Sequence, residues 1–180
     1  MKDIKQVPDE AVQRIIQMIS CDNVEERQLA TKALGYVKSY KQQASDALVV
    51  ALEDTDIFVR RNAVESLGKI GHGNNQVVQN LKRFLSDKDS DIRANAIKSI
   101  GNIAIPSRET FNELLSMLDD DNNHVFLNTL VAIDRLSIDD QKLATKLEKL
   151  LKNVTSQETL KAIMQAKRIR ELLTRIRQRM

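Results

Sequence analysis

Apolar positions along this chain recur at helical spacing, and that pattern itself recurs every 33 residues. Val59, Ala63, Leu67 and Ile70 fall on one helical stripe, as do Ile92, Ala96, Ile100 and Ile103, and Val125, Thr129, Ile133 and Leu136. Ahead of each stripe lies another apolar set: Ile15, Ile16 and Ile19, then Leu48, Val49 and Leu52, Leu81, Phe84 and Leu85, Leu114, Leu115 and Leu118, and Leu147, Leu150 and Leu151. The pattern predicts two helices per repeat. First helices are expected over 9–20, 42–53, 75–86, 108–119 and 140–152, and second helices over 24–38, 57–70, 90–104, 123–136 and 156–178. A period of this length predicts a solenoid, in which each unit buries its apolar face only by stacking on its neighbours. The expected fold is an all-α, right-handed α-solenoid of about five two-helix repeats. Residues 1–180 form one domain with repeats near 9–41, 42–74, 75–107, 108–140 and 141–173, and a basic C-terminal helix extends to 180.

Helix starts carry the same period. Asn23, Asp56, Asp89, Asn122 and Thr155 are 33 apart and are side chains that accept a hydrogen bond from a free amide at a helix N-terminus. Asn23-x-x-Glu26 and Thr155-x-x-Glu158 have the spacing of a capping box. Ala30, Ala63, Ala96, Thr129 and Ala162 form a column of small residues that lets paired helices approach. Gly35, Gly68 and Gly101 lie near the ends of second helices, where they either stop the helix or admit a neighbouring backbone. Asp134 and Lys167 stand in the glycine column later, so the last two units are less regular.

These residues resemble the HEAT-repeat family, and within it the short bacterial, phycobilisome-lyase-like repeats. The family pattern of an apolar first helix, an acidic turn, Val-Arg, Ala and Leu-Gly reads here as Leu52-Glu53-Asp54, Val59-Arg60, Ala63 and Leu67-Gly68. It returns as Leu85-Ser86-Asp87, Ile92-Arg93, Ala96 and Ile100-Gly101. Unit one keeps Arg27, Ala30 and Leu34-Gly35 with Glu26 in place of the valine; unit four has Val125-Phe126 and lacks the arginine; unit five keeps Ala162. Ankyrin repeats share the length, but no Thr-Pro-Leu-His occurs, and the aromatic landmarks of tetratricopeptide repeats are missing. The resemblance implies that Arg27, Arg60 and Arg93 form a structural ladder with the aspartates of the acidic turns, Asp54, Asp56, Asp87 and Asp89. It also implies that second helices line the concave surface.

On that surface Asn62, Asn95 and Asn128 are 33 apart. Neighbouring columns hold Lys32, Glu65, Lys98, Val131 and Met164, and Tyr36, Lys69, Asn102, Arg135 and Arg168. The expected site is a partner-binding set of Tyr36, Asn62, Lys69, Asn95, Lys98, Asn128, Arg135 and Arg168. Its basic lean suits an acidic protein segment. Tyr36, Phe58 and Phe126 interrupt polar columns and are anchor candidates, with packing between turns as the alternative for the phenylalanines.

Charge sharpens this picture at one end. Residues 151–180 hold eight Lys/Arg against two Glu, a local +6, so with a total of +3 the first 150 residues sum to −3. Ala162, Ala166, Ile169, Leu173, Ile176 and Met180 make a stripe flanked by Lys167, Arg168, Arg170, Arg175, Arg177 and Arg179. That stripe either caps the stack or serves a helix-mediated contact with a partner through residues 162–180. An anionic surface is a third reading.

Little else carries chemistry. Cys21 is the single cysteine, which is consistent with a reducing, cytoplasmic setting, and it aligns with Asp54, Asp87 and Asp120 in an exposed turn. His72 and His124 are 52 residues apart without metal-ligand spacing, and both read as surface residues. Asp119-Asp120-Asp121 lacks the glycine and glutamate of a calcium loop. No Gly-rich phosphate loop and no Ser/His/Asp pattern is visible. No apolar run reaches the roughly 20 residues of a membrane span, and MKDIKQVPDE lacks a signal peptide's apolar stretch. The expected function is a non-catalytic interaction scaffold with no cofactor and no metal. Two alternatives follow from the resemblance: an accessory factor like the phycobilin lyases, and nucleic-acid binding through a basic face, which the net-negative body and absent tryptophan disfavour.

Overall fold

A computed structural model of the chain describes residues 9–70, 75–103, 107–137, 140–155 and 160–179. Its described residues contain helices and turns and no strand. The chain divides into two compact units, Met1–Ala104 and Ile105–Met180.

The first unit holds α1 (Asp9–Met18), α2 (Val24–Leu34), α3 (Lys41–Ala51), α4 (Ile57–Ile70), α5 (Asn75–Lys82, continued by a 3-10 turn over Arg83–Ser86) and α6 (Ser90–Ile103). The second holds α7 (Arg108–Ser116, continued by a 3-10 turn over Met117–Asp119), α8 (Asn123–Arg135), α9 (Gln141–Thr155) and α10 (Leu160–Arg179). These bounds follow the two-helix repeat read from the apolar pattern, with α2 ending earlier than expected.

Four of the five predicted caps are made. Asn23 Oδ1 accepts from the amides of Glu25 and Glu26, at 2.9 and 3.2 Å. Asp56 Oδ1 accepts from Phe58 and Val59, and Asp89 Oδ1 from Asp91 and Ile92, all at 3.0 Å. Asn122 Oδ1 accepts from His124 and Val125. For the fifth, Thr155, the amides it would cap lie outside the described residues. It is the last residue of α9, and its hydroxyl donates back to the carbonyls of Leu151 and Lys152. Val154 is buried, and that burial carries α9 past the expected end at 152. Glu158 lies outside the described residues.

In the first unit α2, α4 and α6 form one layer, and α1, α3 and α5 the other. Neighbouring second helices pack far more extensively than neighbouring first helices. The glycines explain the tight layer. No glycine among the described residues has positive φ, so Gly35, Gly68 and Gly101 do not serve as left-handed stops. A Cβ on Gly68 would instead lie 2.6 Å from Ser99 Cβ and 2.8 Å from Ser99 Cα, well inside the ~3.5 Å of an ordinary carbon contact. On Gly35 it would lie 2.9 Å from Ser66 Cβ. Ser99 Oγ, wedged in this contact, donates to the Val64 carbonyl at 2.8 Å. Between the layers Leu34, Leu48, Val59, Ala63, Leu67, Leu81, Ile92, Ala96 and Ile100 are buried.

In the second unit α10 packs on α9 and α8. Ala162, Ala166, Ile169, Leu173 and Ile176 of the predicted stripe are all buried, joined by Leu172, so this stripe covers the unit's own core. Met180 lies outside the described residues. Salt bridges fasten the basic flank. Arg175 and Arg179 reach Asp134, and Arg177 Nη2 reaches Glu148 Oε1 at 2.8 Å.

Candidate functional site

The acidic turns build the scaffold under the site. The Asp56 amide donates to Asp54 Oδ1, the Asp89 amide to Asp87 Oδ1 and the Asn122 amide to Asp120 Oδ1, each at 2.8 Å. One aspartate thus folds the turn and the next polar residue caps the helix. Cys21 fills the first aspartate's place, is half-buried, and its thiol donates to the Asn23 carbonyl.

The arginine ladder closes those turns. Arg27 grips Asp54 of the following turn through Nε at 2.7 Å and Nη2 at 3.1 Å, and its Nη1 caps the carbonyls of Cys21 and Asp22. Arg60 donates to the carbonyls of Asp54 and Thr55, and Arg93 to those of Asp87 and Lys88. The expected aspartate partner is therefore seen at Arg27, while these bonds of Arg60 and Arg93 go to main-chain oxygens. The Arg27 hydrogen bond holds the Asp54 carboxyl below the usual carboxylate range, against the opposing effect of desolvation.

A second ladder, one residue further on, was missed in the sequence. Gln28 donates to Asp56 at 2.9 Å, and Arg61 to Asp89 at 2.7 Å, so each links one second helix to the cap of the next. The Arg61 hydrogen bond holds Asp89 below the usual range. The signal was present, since both partners sit at the cap column 28 residues on, but the neighbouring arginines masked it.

The solvent-facing stripes of the second helices run beside this second ladder and opposite Arg27, Arg60 and Arg93. On α2 the stripe is Glu25, Leu29 and Lys32, continued by Tyr36 in the turn that follows; on α4 it is Phe58, Asn62, Glu65 and Lys69; on α6 Asp91, Asn95, Lys98 and Asn102. Leu29 is 65% exposed, Tyr36 64% and Phe58 55%, unusual for side chains of this size. Tyr36 is held in place: Lys69 Nζ donates to its hydroxyl at 3.0 Å and stands 4.5 Å from its ring centroid, while also pairing with Glu65 at 2.9 Å. Burial works against the Lys69 ammonium, but these bonds to Tyr36 and Glu65 outweigh it and raise its pKa. Arg61 lies 5.9 Å from the Phe58 ring centroid. Asn62 is half-buried and donates to the Gln28 carbonyl at 3.2 Å, so part of its amide serves stacking. Asn95 is half-buried and Lys98 exposed beside it.

In the second unit Asn128 is half-buried, Arg135 exposed, and Arg168 pairs with Glu171 at 2.9 Å. Phe126 is 4% exposed and packs in the core of its unit, so it is not an anchor. Two grooves open here. One, of about 400 Å3, lies between α8 and α10. The other, of about 610 Å3, lies between α7 and α9 and is walled by Leu115, Leu150, Lys142, Lys146 and Lys149.

His124 is exposed at the start of α8, and His72 lies outside the described residues. Among the described residues no cluster of three or more His, Cys, Asp or Glu is arranged to hold a metal ion. No helix among them is long and apolar enough to cross a membrane.

Solved structures of similar shape are helical-repeat proteins. A designed armadillo repeat protein in complex with the peptide (KR)4 superposes with a TM-score of 0.64 at 21% identity, over 91% of this chain and 82% of that one. A computationally designed armadillo repeat protein for modular peptide recognition gives 0.60 at 22%, over 91% and 82%. The complex of CpcE and CpcF of phycocyanin lyase from Nostoc sp. PCC7120 gives 0.65 at 17%, over 89% and 98%. At these identities the likeness is one of fold. Comparison with curated protein sequences gives no match. The sequence signature of HEAT repeats matches residues 12–101 and 81–167, and with the paired helices, capped turns and tight second-helix layer described above, the chain belongs to the HEAT-repeat family.

Proposed function

We propose that this protein is a non-catalytic scaffold that holds an acidic segment of a partner protein on the solvent-facing stripes of its second helices. The observation that carries the reading is Tyr36, a large exposed ring braced by Lys69 from the next helix. A ring fixed before binding loses little conformational freedom on complex formation, which is what an anchor requires. Leu29 and Phe58 supply exposed apolar area nearby. Lys32, Lys69 and Lys98 against Glu65 leave the C-terminal half of this face net positive. Lys69 is partly neutralised by Glu65, so the cations to which an acidic segment responds most are Lys32 and Lys98. Asn62, Asn95 and Asn128 contribute amides that both donate and accept, suited to a peptide main chain. Arg135 and Arg168 are basic positions of the same repeat column within the second unit. The tighter packing of the second-helix layer in the first unit is the geometry of an inner, concave side and supports the same assignment.

Affinity capture from cell extract with wild type and with a Tyr36→Ala, Lys32→Glu, Lys98→Glu variant tests this reading. All three side chains are exposed, so the variant should melt within a few degrees of wild type. An acidic partner held by wild type and lost by the variant is the expected result. A partner held equally by both would overturn the assignment of this face.

A further inference from the structure

The second-helix stripes change character between the units. Where α2, α4 and α6 present Lys32, Glu65 and Lys98, the same repeat position presents Val131 on α8 and Met164 on α10. Those two side chains, with Leu127, line the groove of about 400 Å3 between α8 and α10. Met164 is 55% exposed, and Leu127 and Val131 are half-buried, so the apolar wall is open to solvent. The remaining lining is Lys167, Arg168 and Glu171. Arg168 pairs with Glu171, Lys167 stands exposed, and the rim keeps one net positive charge.

We infer that this groove takes a large apolar side chain of a partner segment whose neighbouring residues are acidic. The inference rests on the proposed scaffold function and names the partner's second recognition element. The apolar wall explains why an aliphatic or aromatic side chain enters. A methionine in the wall adapts to more than one side-chain shape. Charge complementarity sets the flanks. Lys167 attracts a carboxylate, and Arg168 can exchange its Glu171 contact for one on the partner, since a guanidinium presents several donors in a fixed plane. A basic segment would meet Lys167 and Arg168 across the same rim and is disfavoured. The buried stripe of α10 takes no part, because it faces α8 and α9.

A displayed library of random dodecapeptides, panned on the full chain, tests this without presupposing a sequence. Wild type is compared with Val131→Asp, Met164→Glu, with Met164→Glu alone as the exposed change should the half-buried Val131→Asp lower the melting temperature, and with the Tyr36→Ala, Lys32→Glu, Lys98→Glu variant. The expected enrichment is for one large apolar residue flanked by Asp or Glu. Synthesised peptides should bind the groove variant roughly tenfold or more weakly, the scale of losing an anchor. Acidic peptides without an apolar anchor, which survive the groove change and are lost with the first-unit variant, would overturn this inference while leaving the scaffold reading standing. Enrichment of basic peptides, or binding indifferent to both variants, would overturn both.

Discussion

Replacing Gly68 with alanine isolates what the glycine column is for. Gly68 is buried inside α4 with ordinary negative φ, so alanine meets no backbone strain and gains up to about 1 kcal/mol of helix propensity. If glycine served only to loosen the helix end, Gly68→Ala would be stabilising. The structure predicts the reverse. The new Cβ would sit 2.6 Å from Ser99 Cβ and 2.8 Å from Ser99 Cα. The Ser99 main chain cannot rotate away, so α4 and α6 must separate. Such overpacking costs about 1–3 kcal/mol. The displaced Ser99 hydroxyl would also lose its bond to the Val64 carbonyl, worth about 1 kcal/mol. Net destabilisation of about 1–3 kcal/mol follows once the propensity gain is subtracted.

Denaturant unfolding followed by far-UV circular dichroism measures it. Gly35→Ala should cost less, because its nearest main-chain neighbour, Ser66 Cα, would be 3.1 Å away. Ser99→Gly should recover part of the Gly68→Ala loss by removing the side chain in the way, a coupling that a double-mutant cycle reads directly. A Gly68→Ala protein as stable as wild type, or a cycle without coupling, would refute the account of the tight layer.

Three further outcomes are expected. Asp54 and Asp89 have folded-state pKa values below their unfolded ones, so their stabilisation is fully present above the unfolded value of about 3.9 and is lost as pH falls through the folded values; thermal unfolding across acid pH should show this loss, and Asp54→Asn with Asp89→Asn should flatten it. Ile169→Ala, in the buried stripe of α10, should cost about 2–5 kcal/mol by chemical denaturation, whereas an α10 that served mainly as an external docking helix would tolerate it. Asn122→Ala should cost about 1 kcal/mol by chemical denaturation as a lost cap, whereas Thr145→Ala, whose exposed hydroxyl back-bonds to the Gln141 carbonyl within α9, should stay within about 0.5 kcal/mol.

The contrast between Asn122 and Thr155 shows what can be read from a sequence like this one. Capping depends on a side chain and amides two or three residues away, so four of the five positions were legible from spacing alone. At Thr155 a tertiary signal enters that spacing does not carry: Val154 is buried and α9 runs through Thr155 rather than ending at 152. The glycine column left two readings open, because only the partner helix distinguishes a helix stop from a close approach, and Ser66 and Ser99 are 31 residues further along the chain. The polar face was legible as columns, but its balance was not. Lys69 reads as a free cation in sequence and stands in the structure as the brace of Tyr36 and the partner of Glu65. Phe58 and Phe126 occupy the first turns of their second helices, two positions apart in register, two and four residues past the caps Asp56 and Asn122. Those two steps, about 200° around the helix, leave Phe58 exposed and turn Phe126 into the core. Recognition by a repeat protein of this kind therefore depends less on which residue types its columns contain than on the few registers at which an apolar side chain faces solvent. In the proposed binding mode Tyr36, Phe58 and Met164 are the exposed positions at which a single change is expected to weaken binding most.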